Sequence, residues 1–160
     1  MPARAHADWR RESLVDRDVF DRRLGRLEDL LSRLRSVAKL EWKSYKTDQK
    51  IQAATERWLH LAAECTIDLA HHLIADRGLK TPGTYREAFQ ILHEAGVLTE
   101  DVARSMESWA GLRNVLVHMY IDVDAHRLFE ILQKDLDQLE SFAAAMSKAV
   151  SGGEPPRGGK

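Results

Sequence analysis

The stretch VDRDVFDRRLGRLEDLLSRLRSVAKL, residues 15–40, decides the fold class. Within it Phe20, Leu24, Leu27, Leu31, Leu34 and Ala38 step by fours and threes. That spacing lines one face of an α-helix and leaves the charges on the other. A first helix is expected over about 15–40, weakened somewhat by the interior Gly25. The residues before it show no period, so 1–13 are expected to form a flexible N-terminus.

The same period returns further along the chain. After the turn-like, capping-rich segment Ser44 to Asp48, a long central helix carries Ile51, Ala54, Thr55, Trp58, Leu59, Ala62, Cys65, Leu69 and Leu73 toward the core. It ends at Asp76-Arg77-Gly78, with Gly78 as a left-handed cap. Thr84 and Glu87 have capping-box spacing, which predicts a short helix from Tyr85 to Ala95 that stops at Gly96. Thr99, with Glu100 and Asp101 after it, opens a fourth helix. Asp122-Val123-Asp124 interrupts the pattern. Leu128, Ile131, Leu132, Leu136, Leu139, Phe142 and Met146 then carry one last helix to about residue 149. The tail, 150–160, is expected to be disordered, and no sustained strand alternation or internal repeat occurs. The expected fold is all-α, an up-and-down helical bundle over 14–149 with one short extra helix.

Composition narrows the class. At 160 residues the chain suits one domain with a single core, and its one cysteine, Cys65, excludes an intramolecular disulfide and a Cys-based zinc finger. No apolar run reaches membrane-spanning length, so no membrane partner and a cytoplasmic location are expected. The net charge of −1 gives no global pull toward nucleic acid. Basic residues do gather between 10 and 50, a run read foremost as a solvated helix face.

Chemistry concentrates in the fourth helix, in Arg113-Asn114-Val115-Leu116-Val117-His118-Met119-Tyr120. Trp109, Leu112, Val115, Leu116 and Met119 share one arc, the expected buried face. Asn114 and His118 lie outside it with Ala103, Ala110 and Gly111, a side with room for close approach. Arg113 and His118 stand five residues apart, about 140° around an ideal helix, so one chain does not converge both on a single atom. A two-fold dimer packing this face on itself lets both copies border one cleft, which makes a homodimer with a composite site the expectation.

The order Arg, Asn, three residues, His, any residue, Tyr resembles the R-x4-H-x-Y signature of the HEPN superfamily, and specifically the HepT toxins of HepT/MntA toxin–antitoxin pairs. The segments 62–74, 85–89, 94–98 and 123–124 are similar to that family in content and order, and the resemblance covers roughly 14–147. It implies a homodimeric bundle with metal-independent endoribonuclease activity on RNA. It also implies a partner antitoxin, an MntA-like minimal nucleotidyltransferase that attaches AMP to the motif tyrosine, here Tyr120. No cofactor and no metal are implied.

The groups present can do this chemistry. His118 suits proton transfer near neutral pH, because imidazole is the side chain that ordinarily titrates there. Arg113 matches two phosphate oxygens with its planar fork, and Asn114 is expected to orient His118 or the RNA backbone. AMP on Tyr120 would place an anion within about two turns of Arg113 and silence the site. A non-catalytic HEPN module that binds nucleotide or a partner is the alternative. A rival constellation on the second helix, His60, Glu64, Asp68 and His72 at every fourth residue, lacks matching ligands elsewhere and reads as a solvated or interfacial stripe rather than a metal site. Trp42, beside basic residues, is a candidate RNA contact, whereas Trp58 and Trp109 read as core.

Overall fold

A computed structural model describes residues 5–118 and 123–152 of the chain, with side chains from Arg17 onward. The described residues form seven helices: α1 (Ala5–Ala38), α2 (Trp42–Thr47), α3 (Gln49–Asp76), α4 (Tyr85–Glu94), α5 (Glu100–His118), α6 (Ala125–Lys134) and α7 (Leu136–Ser151). Helix α3 touches each of the other six and is the axis of the bundle.

Helix α1 starts ten residues ahead of the periodic pattern. Residues 5–14, AHADWRRESL, have no apolar stripe, yet Ala, Arg, Glu and Leu are strong helix formers and continue the helix by propensity. From Phe20 to Leu34 the expected face is buried, Ala38 is half-buried, and Leu30 and Val37 join it. Gly25 sits on the outer side, where an added methyl group would meet nothing within 4 Å. Gly25→Ala is therefore expected to stabilise the fold by about 1 kcal/mol, the helix-propensity difference, read as a raised denaturation midpoint.

Asp48 caps α3 by accepting from the Ile51 amide at 3.1 Å, and Gly78 closes its end at φ 63°. Ala62, Ala63 and Ala70 in its middle are fully covered, which lets its neighbours lie close. Thr84 caps α4 by accepting from the Glu87 amide at 3.1 Å. Glu87 reaches back to the Gly83 amide at 2.7 Å, one residue ahead of the usual capping-box partner, and also takes Lys80 at 2.9 Å. The Gly83 amide first, and Lys80 second, hold the Glu87 carboxyl below its ordinary range.

The chain's last helix is two helices, a departure from the single one expected. Asp135 ends α6 and opens α7, its amide bonding Ile131 at 2.9 Å and its carbonyl accepting from Gln138 at 3.2 Å. Leu128, Leu132, Leu136 and Leu139 are all buried, so the apolar period runs on through the break and hides it. The break lets α6 cover α2 while α7 packs on α5. The short segment before α3 also becomes a helix, α2. There Trp42 packs half-buried against Tyr45, Phe129 and His126, with ring centroids 6.0, 5.4 and 5.2 Å away. Trp42 is thus a packing residue rather than an open stacking platform.

Candidate active site around helix α5

Helix α5 starts under Thr99, whose hydroxyl accepts from the Val102 amide at 3.3 Å, and Glu100 and Asp101 fill its first turn. It packs against α3, α4 and α7. Its buried residues are Ala103, Met106, Trp109 and Ala110. This corrects the expected arc: Leu112 and Leu116 are only half-buried and Val115 is 42% exposed. The buried face is turned by about one residue, about 100°, and centres on Met106, Ala110 and Arg113. The physical reason is helix packing distance. Ala103 and Ala110, expected on the open side, are the small residues that let neighbouring helices approach, and weighing bulk alone misplaced them.

Arg113 consequently points into the bundle. Its side chain is 21% exposed, and Nε donates to Glu64 Oε1 at 2.5 Å. Nη1 donates to Asn114 Oδ1 at 3.2 Å, and the guanidinium carbon stands 5.5 Å over the Tyr85 ring. Glu64 is held in turn. His60 Nε2 lies 3.4 Å from the same carboxylate oxygen, and His60 Nδ1 lies 3.3 Å from Arg57 Nη1. A guanidinium only donates, so Nδ1 accepts and the His60 tautomer carries its proton on Nε2 toward Glu64. The chain Arg57, His60, Glu64, Arg113, Asn114 fixes the guanidinium plane before any anion arrives. Among the described residues Nη2 makes no hydrogen bond.

His118 ends α5 on the exposed surface, and Asn114, one turn earlier, is exposed as well. Within one chain Arg113 and His118 are not brought together: the first faces α3 and α4, the second faces outward. Asn114 Oδ1 accepts from Arg113 Nη1. Tyr120 and Met119 lie outside the described residues.

The polar stripe on α3 divides between two arginines. Glu64 serves Arg113, Asp68 pairs with Arg23 of α1, and the His72 ring packs 5.9 Å from Phe20. Among the described residues no three His, Cys, Asp or Glu side chains converge as metal ligands would. Cys65, half-buried beside the stripe, has its thiol pushed up by burial first and by Asp68 second, which keeps it protonated and poorly nucleophilic. Part of the basic run of α1 is engaged in ion pairs, Arg33 with Asp29 and Arg35 with Asp137 and Glu140, on a solvated face. Among the described residues no helix is long and apolar enough to cross a membrane.

Sequence reasoning did not assign Tyr85 to the site and placed the stripe of His60 and Glu64 only as a solvated or interfacial face bordering the cleft. The signal for His60 and Glu64 was present in the four-residue polar spacing on α3. What the sequence lacked was the rotation of α5 that aims Arg113 at that stripe.

A family model described as Ribonuclease HepT-like matches residues 27–146. A tRNA nuclease HepT from Aphanizomenon flos-aquae is 30% identical over 122 residues, 75% of this chain and 82% of that protein. An mRNA nuclease HepT from Shewanella oneidensis is 23% identical over 125 residues, 78% of this chain and 93% of that one. Among solved structures, a tri-AMPylated Shewanella oneidensis HEPN toxin in complex with MNT antitoxin superposes with a TM-score of 0.74 at 22% identity, covering 81% of this chain and 97% of that chain. At that identity the likeness bears on the fold alone. The match runs from the middle of α1 into α7 and takes in the whole Arg113 to His118 segment, so this chain belongs to the HepT-like ribonuclease family.

Proposed function

We propose that this chain is a ribonuclease toxin that cuts RNA without a metal ion, at a site shared between two copies of itself. The observation that carries the reading is the guanidinium of Arg113, fixed by Glu64 at 2.5 Å and Asn114 at 3.2 Å, about one and a half turns before an exposed histidine. Arg113 binds the scissile phosphate and stabilises the charge that builds on its oxygens. His118 is the proton-transfer group: the ribose 2′-hydroxyl gives up its proton as the O2′–P bond forms and the departing O5′ receives one as the P–O5′ bond breaks, so that no net proton is gained or lost. The products are a 2′,3′-cyclic phosphate and a 5′-hydroxyl, with no water consumed in this step.

Because Arg113 and His118 of one chain face different ways, two-fold pairing of the α5 faces supplies the missing neighbour. The exposed Val115, beside Asn114 and His118, offers an apolar surface for that contact. The Shewanella toxin's AMPylation in complex with its MNT antitoxin supports control by a nucleotidyltransferase partner. Tyr120 is the residue we assign as the AMP acceptor, two positions beyond His118. A bulky anion there competes with RNA for Arg113.

Unmodified protein, verified by intact mass, is expected to cleave RNA in excess EDTA, leaving 2′,3′-cyclic phosphate ends, and to leave a 2′-deoxy substitution at the cut site intact. An unmodified dimer that cuts no RNA, or cuts it only with added metal, contradicts the reading.

A further inference from the structure

Beside Arg113 lies a cavity of about 540 Å³, lined by His71, Thr84, Tyr85, Arg86 and Asn114 among others. Two of these residues join it to the arginine. Asn114 accepts from Arg113 Nη1 at 3.2 Å, and the Tyr85 ring lies 5.5 Å under its guanidinium carbon. The cavity therefore begins where the bound phosphate would end.

Its chemistry is unusual for this surface. His71 Nε2 is buried and, among the described residues, has no hydrogen-bond partner. Such an orphan costs about 1–3 kcal/mol when nothing satisfies it. The Tyr85 ring stands edge-on to the His71 ring at 5.9 Å and is itself 38% exposed at the rim. Arg86 lies along α5, with Nη2 3.5 Å from where a methyl group on Gly111 would sit. That is ordinary contact distance, so the guanidinium lies against α5 at Gly111. An imidazole, a phenol ring, an amide and a guanidinium together offer in-plane hydrogen bonds and a flat face, the means by which proteins read single-stranded bases.

We infer that this cavity is a base-specificity pocket, which seats the nucleobase next to the phosphate held by Arg113 and reads its edge with Asn114 and with His71, whose ring turns on binding to bring the buried Nε2 to the base, while Arg86 neutralises the flanking phosphate. The inference rests on the ribonuclease reading for its biological use, but the pocket can be tested without cleavage. In His118→Ala protein, which keeps the pocket and lacks the proton-transfer group, AMP, GMP, CMP and UMP are titrated against the His71 ring signals by NMR. One nucleotide is expected to bind at least about tenfold more tightly than the weakest, with a shift at His71 Nε2. His71→Phe, which keeps the ring packing on Tyr85, and the surface change Arg86→Gln should each weaken that binding by about tenfold. On RNAs containing every dinucleotide step, His71→Phe should flatten the preference by slowing cleavage at the favoured steps.

Undetectable or base-indifferent binding to folded His118→Ala protein overturns the pocket, as does an unchanged base preference in His71→Phe. Base-selective binding lost in His71→Phe, in a protein that cuts no RNA, upholds the pocket and sinks the ribonuclease reading instead.

Discussion

His118→Ala is expected to lower RNA cleavage by about 10²- to 10⁴-fold, the usual worth of a positioned proton-transfer group. It should change folding stability by no more than about 0.5 kcal/mol, because the exposed side chain leaves no cavity when truncated. The separation of these two effects is the test. His118 closes α5 in the open, whereas the residues that hold α5 in the bundle, Met106, Trp109 and Ala110, lie about two to three turns earlier. A loss of activity accompanied by unchanged melting and an unchanged dimer therefore belongs to chemistry. An RNA whose 5′-oxygen at the cut is replaced by sulfur has a leaving group that needs little protonation. If His118 acts as the acid, the variant should regain most of its rate on that substrate; if it acts as the base, the deficit should persist. A His118→Ala protein that cuts ordinary RNA at the parent rate removes the residue from the mechanism.

The fold and the site were unequally legible in the sequence. Helix boundaries marked by side-chain chemistry were readable: Asp48, Thr84 and Thr99 each accept an amide at the start of their helix, and Gly78 and Gly96 each take positive φ where a helix stops. The break at Asp135 was not readable, because four buried leucines keep the helical period across it. Arg113 and His118 were legible as a motif. The partners of Arg113 were not, because periodicity ranks residues by bulk and hydropathy, and the face of α5 that is buried is the one with alanines and a charged residue. An arginine enters such a face only where a carboxylate meets it, and Glu64 sits 49 residues away in the chain.

Arg113→Ala is expected to be the more costly change, because it acts on two links at once. Removing the guanidinium takes away the fork on the phosphate, worth about 10²–10³ in rate for a transition-state donor. It also leaves Glu64, 31% exposed, facing a vacated space, which should cost about 1–3 kcal/mol of stability. The two losses can be pulled apart. Glu64→Gln added to Arg113→Ala removes the stranded charge, so the double variant should recover part of the stability and none of the cleavage. Arg113→Lys keeps the charge but not the planar fork that reaches Glu64 and phosphate together, and it should remain strongly impaired. The division of labour between chains is then open to a mixing experiment. When Arg113→Ala and His118→Ala proteins are unfolded together and refolded, half of the dimers are mixed. If each site takes its arginine from one copy and its histidine from the other, one of the two sites in a mixed dimer is intact. About a quarter of the parent activity should return from two inactive proteins. Activity that stays at the level of the separate variants would mean that each chain completes its own site, and the turn of α5 that sends Arg113 inward and His118 outward would need another explanation.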